Sequence, residues 1–292
     1  MEMGIIKSNI DKEKEYWEKQ VESYKNINAP KNKKYEVWQP ARWAGNRAII
    51  KRVYDMIGND VRTSIELGAG SAAFSFELYR KFKNKISGID KSKVAVEYGK
   101  MISQDLGISF EYECGDFFIT NKKKYDMVLS LGVIEHYDDE KQLEFVKLCH
   151  KISNKYVIFA IPNQESLVFK SYIKWANKSK DSYEEKHNPL NVVKLKNMLI
   201  ENNFEILLID GFQILLSEGQ FWSDEKLDQE DNIKAIKKAF NDRNSEIGRK
   251  FPNYNFQYKD IELMSEIEYN FSQKFRLNNS FMNIILAKKK EN

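Results

Sequence analysis

Ile65-Glu66-Leu67-Gly68-Ala69-Gly70-Ser71-Ala72 is the stretch on which the reading of this chain turns. A short apolar run, Ser64–Leu67, enters two glycines one residue apart, and a helical pattern from about Ala72 to Phe82 leaves them. Glycine accepts the left-handed backbone that a sharp strand-to-helix corner needs, and it admits a ligand where a Cβ would repel it. The same grammar continues downstream. The apolar runs Lys85–Ile89, Ser109–Cys114, Tyr125–Leu131 and Tyr156–Ile161 alternate with helical stretches at about Ser92–Leu106 and Asp139–Ile152. Short apolar runs bounded by Gly, Asp or Asn and separated by helices predict βαβ units, and so an α/β fold whose parallel sheet is covered on both faces.

On the amino-terminal side, residues 1–60 are rich in charge and aromatic rings. Tyr16, Trp17, Val21 and Tyr24 recur at three- and four-residue steps, which predicts a helix from Asp11 to about Asn26. Pro30 and a lysine-rich stretch end it, and Pro40 suits the first turn of a second helix that stops at Gly58-Asn59. On the carboxyl-terminal side, a long connection at 164–190 carries Trp175, Tyr183 and His187. A helix from about Val192 to Asn202 and a strand at Phe204–Ile209 follow, then some sixty mostly helical residues at 217–279, then a last strand at Phe281–Ala287. No Pro/Ser/Gly linker sets those residues apart, so they are expected to pack on the core. The expected organisation is a helical lid at 1–60, a core at 61–212 and 280–292, and a helical insertion at 213–279 covering the substrate pocket.

Composition narrows the class. Of 292 residues, 42% are hydrophobic and 13% aromatic, which excludes a disordered chain. Cys114 and Cys149 stand far apart with no CxxC pair, which excludes a disulfide framework and a zinc ribbon and points to a reducing compartment. Against 47 basic residues stand 43 acidic ones, a net of only +4, and lysine far outnumbers arginine. The lysine runs at 122–124 and 288–290 read as solvated surface, so a nucleic-acid partner is not expected. The start shows no basic-then-apolar signal pattern, and no apolar run approaches the roughly 18 residues of a membrane span. The expectation is a cytoplasmic protein, monomeric or homodimeric.

Three acids accompany the glycine turn. Asp90 ends the second run, twenty residues beyond Gly70, where a carboxylate accepts hydrogen bonds from both hydroxyls of an adenosine ribose; the same residue also suits capping the helix that follows. Glu66 lies two residues before Gly68. A carboxylate there suits a ligand carrying an ammonium and a sulfonium group and repels a pyrophosphate, favouring S-adenosylmethionine over a nicotinamide dinucleotide. Asp116, in Cys114-Gly115-Asp116-Phe117, is placed to accept from an adenine amino group while Phe117 packs on the ring.

These residues carry a resemblance. Glu66-Leu67-Gly68-Ala69-Gly70, Gly88-Ile89-Asp90, Gly115-Asp116-Phe117, Tyr125–Ser130, Val133-Ile134-Glu135-His136 and Ile161-Pro162-Asn163 follow one another as in class I S-adenosylmethionine-dependent methyltransferases, over about residues 60–212 and the last strand. The chain resembles that family, and its Ile-Glu-His segment is similar to that of the ubiquinone and menaquinone group. The resemblance implies a Rossmann-like, seven-stranded, mostly parallel sheet with an antiparallel last strand, and helical lids in addition. The family's third glycine is Ala72 here. The expected cofactor is S-adenosyl-L-methionine, held by Arg47, Glu66, Gly68, Ala69, Gly70, Asp90, Lys91, Asp116, Phe117 and Leu131. Either Arg42 or Arg47 is placed to fork the cofactor carboxylate.

For the chemistry, His136 is the first candidate base and His187 a second contact to substrate, while His150, inside a helix, reads as structural. The amino-terminal rings Tyr16, Trp17, Tyr24, Tyr35, Trp38 and Trp43 read first as core or lid packing. The chain lacks an Asn/Asp-Pro-Pro-Tyr segment, a Pro-Cys pair and an aspartate at the end of the fourth run, so amino-methylation of bases, RNA cytosine chemistry and a metal site are not expected. Lid material on both sides favours O- or N-methylation of a small metabolite. Methylation of RNA or protein, a nicotinamide-dependent oxidoreductase and a non-catalytic cofactor-binding subunit are the rival readings.

Overall fold

The computed structural model describes residues 2–120, 123–176, 190–215, 230–251 and 254–291. Three helices come first: α1 (Glu2–Lys25), α2 (Lys31–Val37) and α3 (Pro40–Ile57). The alternating core follows as β1 (Thr63–Leu67), α4 (Ala73–Phe82), β2 (Lys85–Asp90), α5 (Lys93–Leu106), β3 (Phe110–Cys114), α6 (Phe117–Thr120), β4 (Tyr125–Leu131), α7 (Asp139–Ile152), β5 (Ser153–Pro162), α8 (Leu167–Ala176), α9 (Val192–Glu201) and β6 (Phe204–Phe212). Then come α10 (Glu230–Asn241), α11 (Ser245–Lys250), α12 (Ile261–Asn270), α13 (Gln273–Asn279) and β7 (Met282–Lys289). Several elements depart from expectation: α1 starts at Glu2 rather than Asp11, and the short helix α6 follows β3. The lysine-rich stretch after Pro30 is helical as α2, because Tyr35 and Glu36 bury one side of it. The long connection after β5 begins with α8. Tyr183 and His187 lie outside the described residues.

The seven strands lie in the order β3-β2-β1-β4-β5-β7-β6. β1 to β5 pair in parallel, and β7 inserts antiparallel between β5 and β6. Strands buried on both faces need apolar residues at successive positions. Val128 faces the side covered by α7 and α9, while Met127 and Leu129 face α3 and α4. The chain winds outward from β1 to β3 and then returns to β1's other edge as β4. In such sheets ligands bind at the carboxyl ends of the two strands flanking that reversal. The topology therefore places the site at the turns after β1 and β4. No helix among the described residues is long and apolar enough to cross a membrane.

The segment after β6 is tied to the core by buried charges. Arg276 of α13 grips Asp210 of β6 through two bonds of 2.7 Å. Glu268 of α12 is 1% exposed and accepts the backbone N–H groups of Gln213, Ile214 and Leu215, and Gln213 in turn donates to Asn46 of α3 at 2.9 Å. Burial pushes the Glu268 carboxyl up to about 7 despite those backbone hydrogen bonds. An acid whose pKa is raised by folding adds stability while protonated, and that contribution disappears as pH climbs from the unfolded value, near 4.5, through the folded one. The loss amounts to about 3 kcal/mol. Urea denaturation at pH 5 and pH 8 should therefore show the wild type losing ground to Glu268→Gln as pH rises; parallel profiles would reject this account.

Candidate cofactor and active site

The turns after β1 and β4 touch. Gly68 has φ +71°, and a Cβ on it would lie 2.5 Å from Val133 Cγ2 in the β4 turn. The Gly68 and Ala69 N–H groups both donate to the Ile89 carbonyl, at 2.9 and 3.2 Å, which ties the corner to the end of β2. Gly70 has φ +53°, donates its N–H to Asp90 Oδ2 at 2.9 Å and accepts from the Tyr112 hydroxyl. Ala72 holds the family's third glycine position with φ +57°, left-handed although it carries a methyl group. That conformation costs an alanine about 1 kcal/mol, which the surrounding packing sustains.

The three acids stand at the ends of adjacent strands. Ser64 and Glu66 alternate with Ile65 and Leu67, so the Glu66 side chain passes under the start of α4 and accepts from Ser75 Oγ at 2.5 Å. Burial pushes its carboxyl up to about 7, while the Ser75 hydrogen bonds and the charge of Arg42 pull the other way. Asp90 is buried, and its second oxygen accepts from the Ser92 N–H at 2.8 Å; burial raises its carboxyl as well. The cap of α5 is Ser92, which accepts from the Ala95 N–H at 3.3 Å, so the capping alternative for Asp90 falls away. Each Asp90 oxygen keeps a lone pair for a ribose hydroxyl. Asp116 is exposed and accepts from the Phe118 N–H at 2.9 Å. Tyr137, after the β4 turn, senses this grouping: its hydroxyl is pushed up to about 12 by burial, then by Asp116, Asp90 and Glu13.

Not every residue expected at the site is there. Arg47 is a correction. Its guanidinium forks onto Glu77 with two bonds of 3.0 Å and also meets Glu36 and the exposed Glu262, an ion cluster joining α2, α3, α4 and α12. Releasing it would strand Glu77, which is 2% exposed. Arg42, one turn earlier on α3, is the arginine within electrostatic reach of Glu66, and no carboxylate pairs with it among the described residues. Phe117 is a second correction. Its ring is buried against Phe145 at 5.0 Å in the core between the sheet and α7, turned inward by the short helix α6. Lys91 points toward α1, pairing with Glu13 at 3.3 Å. Leu131, half-buried, ends β4 beside the switch point.

His136 sits in the turn that carries Val133, and its Nε2 lies 3.2 Å from the Gly132 carbonyl. A ring nitrogen facing a carbonyl oxygen keeps its proton, so the lone pair of the neutral ring is on Nδ1. His150 packs edge-on against Phe204, consistent with a structural place. The partners that sequence patterns did not reveal are Trp17, Ser75, Tyr112 and Val133. A Cβ on Gly70 would lie 2.7 Å from Trp17 Cη2, so the amino-terminal helix is seated directly on the glycine corner. The three- and four-residue spacing of Trp17 marks a helix but not what its face covers. The residues present fit an adenosyl sulfonium: a glycine corner that presents backbone rather than side chains, acids for hydroxyl, amino and ammonium groups, and an arginine for a carboxylate.

A family profile described as "Methyltransferase domain" matches residues 59–207, just over half of the chain. No curated protein matches it. Among solved structures, the fold is similar to that of magnesium protoporphyrin IX methyltransferase from Synechocystis PCC 6803 with bound SAH, at 12% identity and a TM-score of 0.52, over 88% of this chain and 87% of that one. It is also similar to an S-adenosylmethionine-dependent methyltransferase from Clostridium acetobutylicum ATCC 824, at 12% identity and a TM-score of 0.50, over 85% and 92% of the two chains. At such identities the likeness speaks for the fold.

Proposed function

Since the chain belongs to the methyltransferase-domain family, whose cofactor is S-adenosylmethionine, we propose that it methylates an oxygen or nitrogen atom of a small metabolite by in-line displacement. The observation that carries the small-acceptor reading is enclosure: α1 lays Trp17 on Gly70, and the corner between α2 and α3 closes the same side. A closed site keeps out water and polymers. The Ile134-Glu135-His136 segment, similar to that of the quinone-type group, supports the same choice.

When bound, S-adenosylmethionine would supply an electrophilic sulfonium methyl group, with its own neutral thioether as the leaving group. The chain's own groups hold and align. Asp90 takes the ribose hydroxyls, Asp116 the adenine amino group, Glu66 the ammonium, and Arg42 forks the carboxylate in place of Arg47. His136 takes the acceptor's proton. Helices α1, α2 and α3, together with α10 to α13, serve as covers over this edge.

Incubation with methyl-labelled cofactor tests the proposal against a metabolite extract, bulk RNA and bulk protein in parallel. Label is expected in the small-molecule fraction alone. Transfer confined to RNA or protein would overturn the acceptor class, and tighter calorimetric binding of NADH than of S-adenosylhomocysteine would overturn the reading as a whole.

A further inference from the structure

Two glycines of the core sit where propensity argues against them. Gly99 lies in the middle of α5 and Gly88 in the middle of β2, and neither has a positive φ. Glycine weakens the interior of a helix or strand relative to alanine, so backbone conformation accounts for neither. Space does. A Cβ on Gly99 would lie 2.5 Å from Tyr112 Cε1 and 2.9 Å from Tyr112 Cδ1, closer than packed atoms approach, and 3.6 Å from the Gly70 carbonyl oxygen. Tyr112 of β3 stands directly opposite Gly88 in the parallel ladder. A Cβ on Gly88 would lie 2.7 Å from Phe110 Cζ and 3.3 Å from Tyr112 Cδ2. The two absent side chains leave a slot between the sheet and α5. The Tyr112 ring fills it, with the Phe110 ring beside it at 4.9 Å between centroids.

The slot aims a hydroxyl at the glycine corner. Tyr112 Oη donates to the Gly70 carbonyl, while the Gly70 N–H donates to Asp90 Oδ2 at 2.9 Å. Gly70 is thus gripped through both of its peptide groups, and a residue with no side chain, at φ +53°, takes its orientation from such bonds. Asp90 is tied in turn, its Oδ1 accepting from the Ser92 N–H at 2.8 Å. Burial, then the charges of Asp90 and Glu66, hold the Tyr112 hydroxyl well above the usual tyrosine range, so it stays a donor. A phenylalanine ring would fill the slot equally well; only the oxygen reaches the corner. Without that oxygen the buried Gly70 carbonyl is left unpaired, a cost the corner escapes by turning, which loosens the bond to Asp90 as well. We propose that Tyr112 is a positioning residue of the cofactor site: its hydroxyl sets the Gly70 peptide and, through it, the Asp90 carboxylate that takes the ribose, and Gly88 and Gly99 are glycine to admit its ring. This rests on the corner at 68–70 being the cofactor's seat and adds the residue that keeps the seat in shape.

Calorimetric titration of the full chain with S-adenosylhomocysteine tests this. Tyr112→Phe should lose affinity tenfold or more. Tyr156→Phe is the control: it also deletes the hydroxyl of a buried tyrosine, one bonded to Asp60 at 3.1 Å near the start of β5, at the opposite edge of the sheet, and it should stay within twofold of wild type. A merely structural role would make the two variants alike. Gly99→Ala should also cost tenfold, because its methyl group drives the ring from the corner. The double variant Gly99→Ala/Tyr112→Phe should then lie within threefold of the weaker single variant, since a bond already broken is not lost twice. A loss below tenfold in Tyr112→Phe, an equal loss in Tyr156→Phe, or a double loss equal to the product of the single ones overturns the proposal. If either Tyr112→Phe or Gly99→Ala does not fold, the other measured against Tyr156→Phe decides. Failure of the wild type to bind S-adenosylhomocysteine would instead refute the cofactor site, and indifference to Gly68→Ala would refute the corner as its seat; both are separate results.

Discussion

Gly68→Ala is expected to weaken S-adenosylhomocysteine binding at least a hundredfold while the chain still folds. Two costs coincide at this residue. Its φ of +71° is strained for any side chain, and the new methyl would lie 2.5 Å from Val133 Cγ2, closer than real contacts permit. Val133 is short and branched, so it has no flexible end to swing aside. The clash is relieved by parting the β1 turn from the β4 turn, at about 1–3 kcal/mol of stability. That movement displaces the corner proposed to seat the cofactor, and a hundredfold loss corresponds to about 2.7 kcal/mol. Calorimetric titration of folded variant checks this; affinity within threefold of wild type would mean that the corner is not the cofactor's seat. Alanine at position 72 is no precedent for tolerance, because Ala72 is buried in space that already holds its methyl group.

The second large effect is catalytic. His136→Ala should lower kcat by a hundred- to ten-thousand-fold, the range of a positioned base. Affinity for S-adenosylhomocysteine should change little, since His136 lies in the β4 turn, where its ring meets the Gly132 carbonyl, and not among the acids assigned to the cofactor. An acceptor with an already ionised oxygen should be spared most of the loss. A variant that keeps a tenth or more of the wild-type kcat would remove His136 from proton transfer and leave alignment as the chain's whole contribution.

Much of the fold was readable along the chain because its determinants are local. Tyr125–Leu131 and Asp139–Ile152 coincide with β4 and α7 to the residue, since an uninterrupted apolar run and a helical period each carry their own boundary signals, here with Asp138 capping the helix. The glycine corner and Asp90 were equally legible: their spacing follows from the strand-turn-helix unit itself, and the 2.9 Å bond from Gly70 to Asp90 joins them. The helix α2 was less so, because its stability comes from burying Tyr35 and Glu36 against other elements rather than from its lysines.

Choosing between Arg42 and Arg47 shows where local signals end. Both lie on one predicted helix, and nothing in their immediate neighbours separates them. Only the packing of α3 against α4 and α12 brings Glu77, Glu36 and Glu262 around Arg47 and leaves Arg42 within electrostatic reach of Glu66. Phe117 is the same lesson in apolar form: its place next to Asp116 put it by the cofactor, and α6 turned its ring into the core. The alternation of strands and helices along the chain, the class of the fold and the acids beside the glycine turn were thus set by short-range periodicity and turn chemistry, which any segment carries within itself. Which arginine is sequestered by acids and which ring covers Gly70 depend on contacts between residues far apart in the chain, and those exist only once the helices have packed.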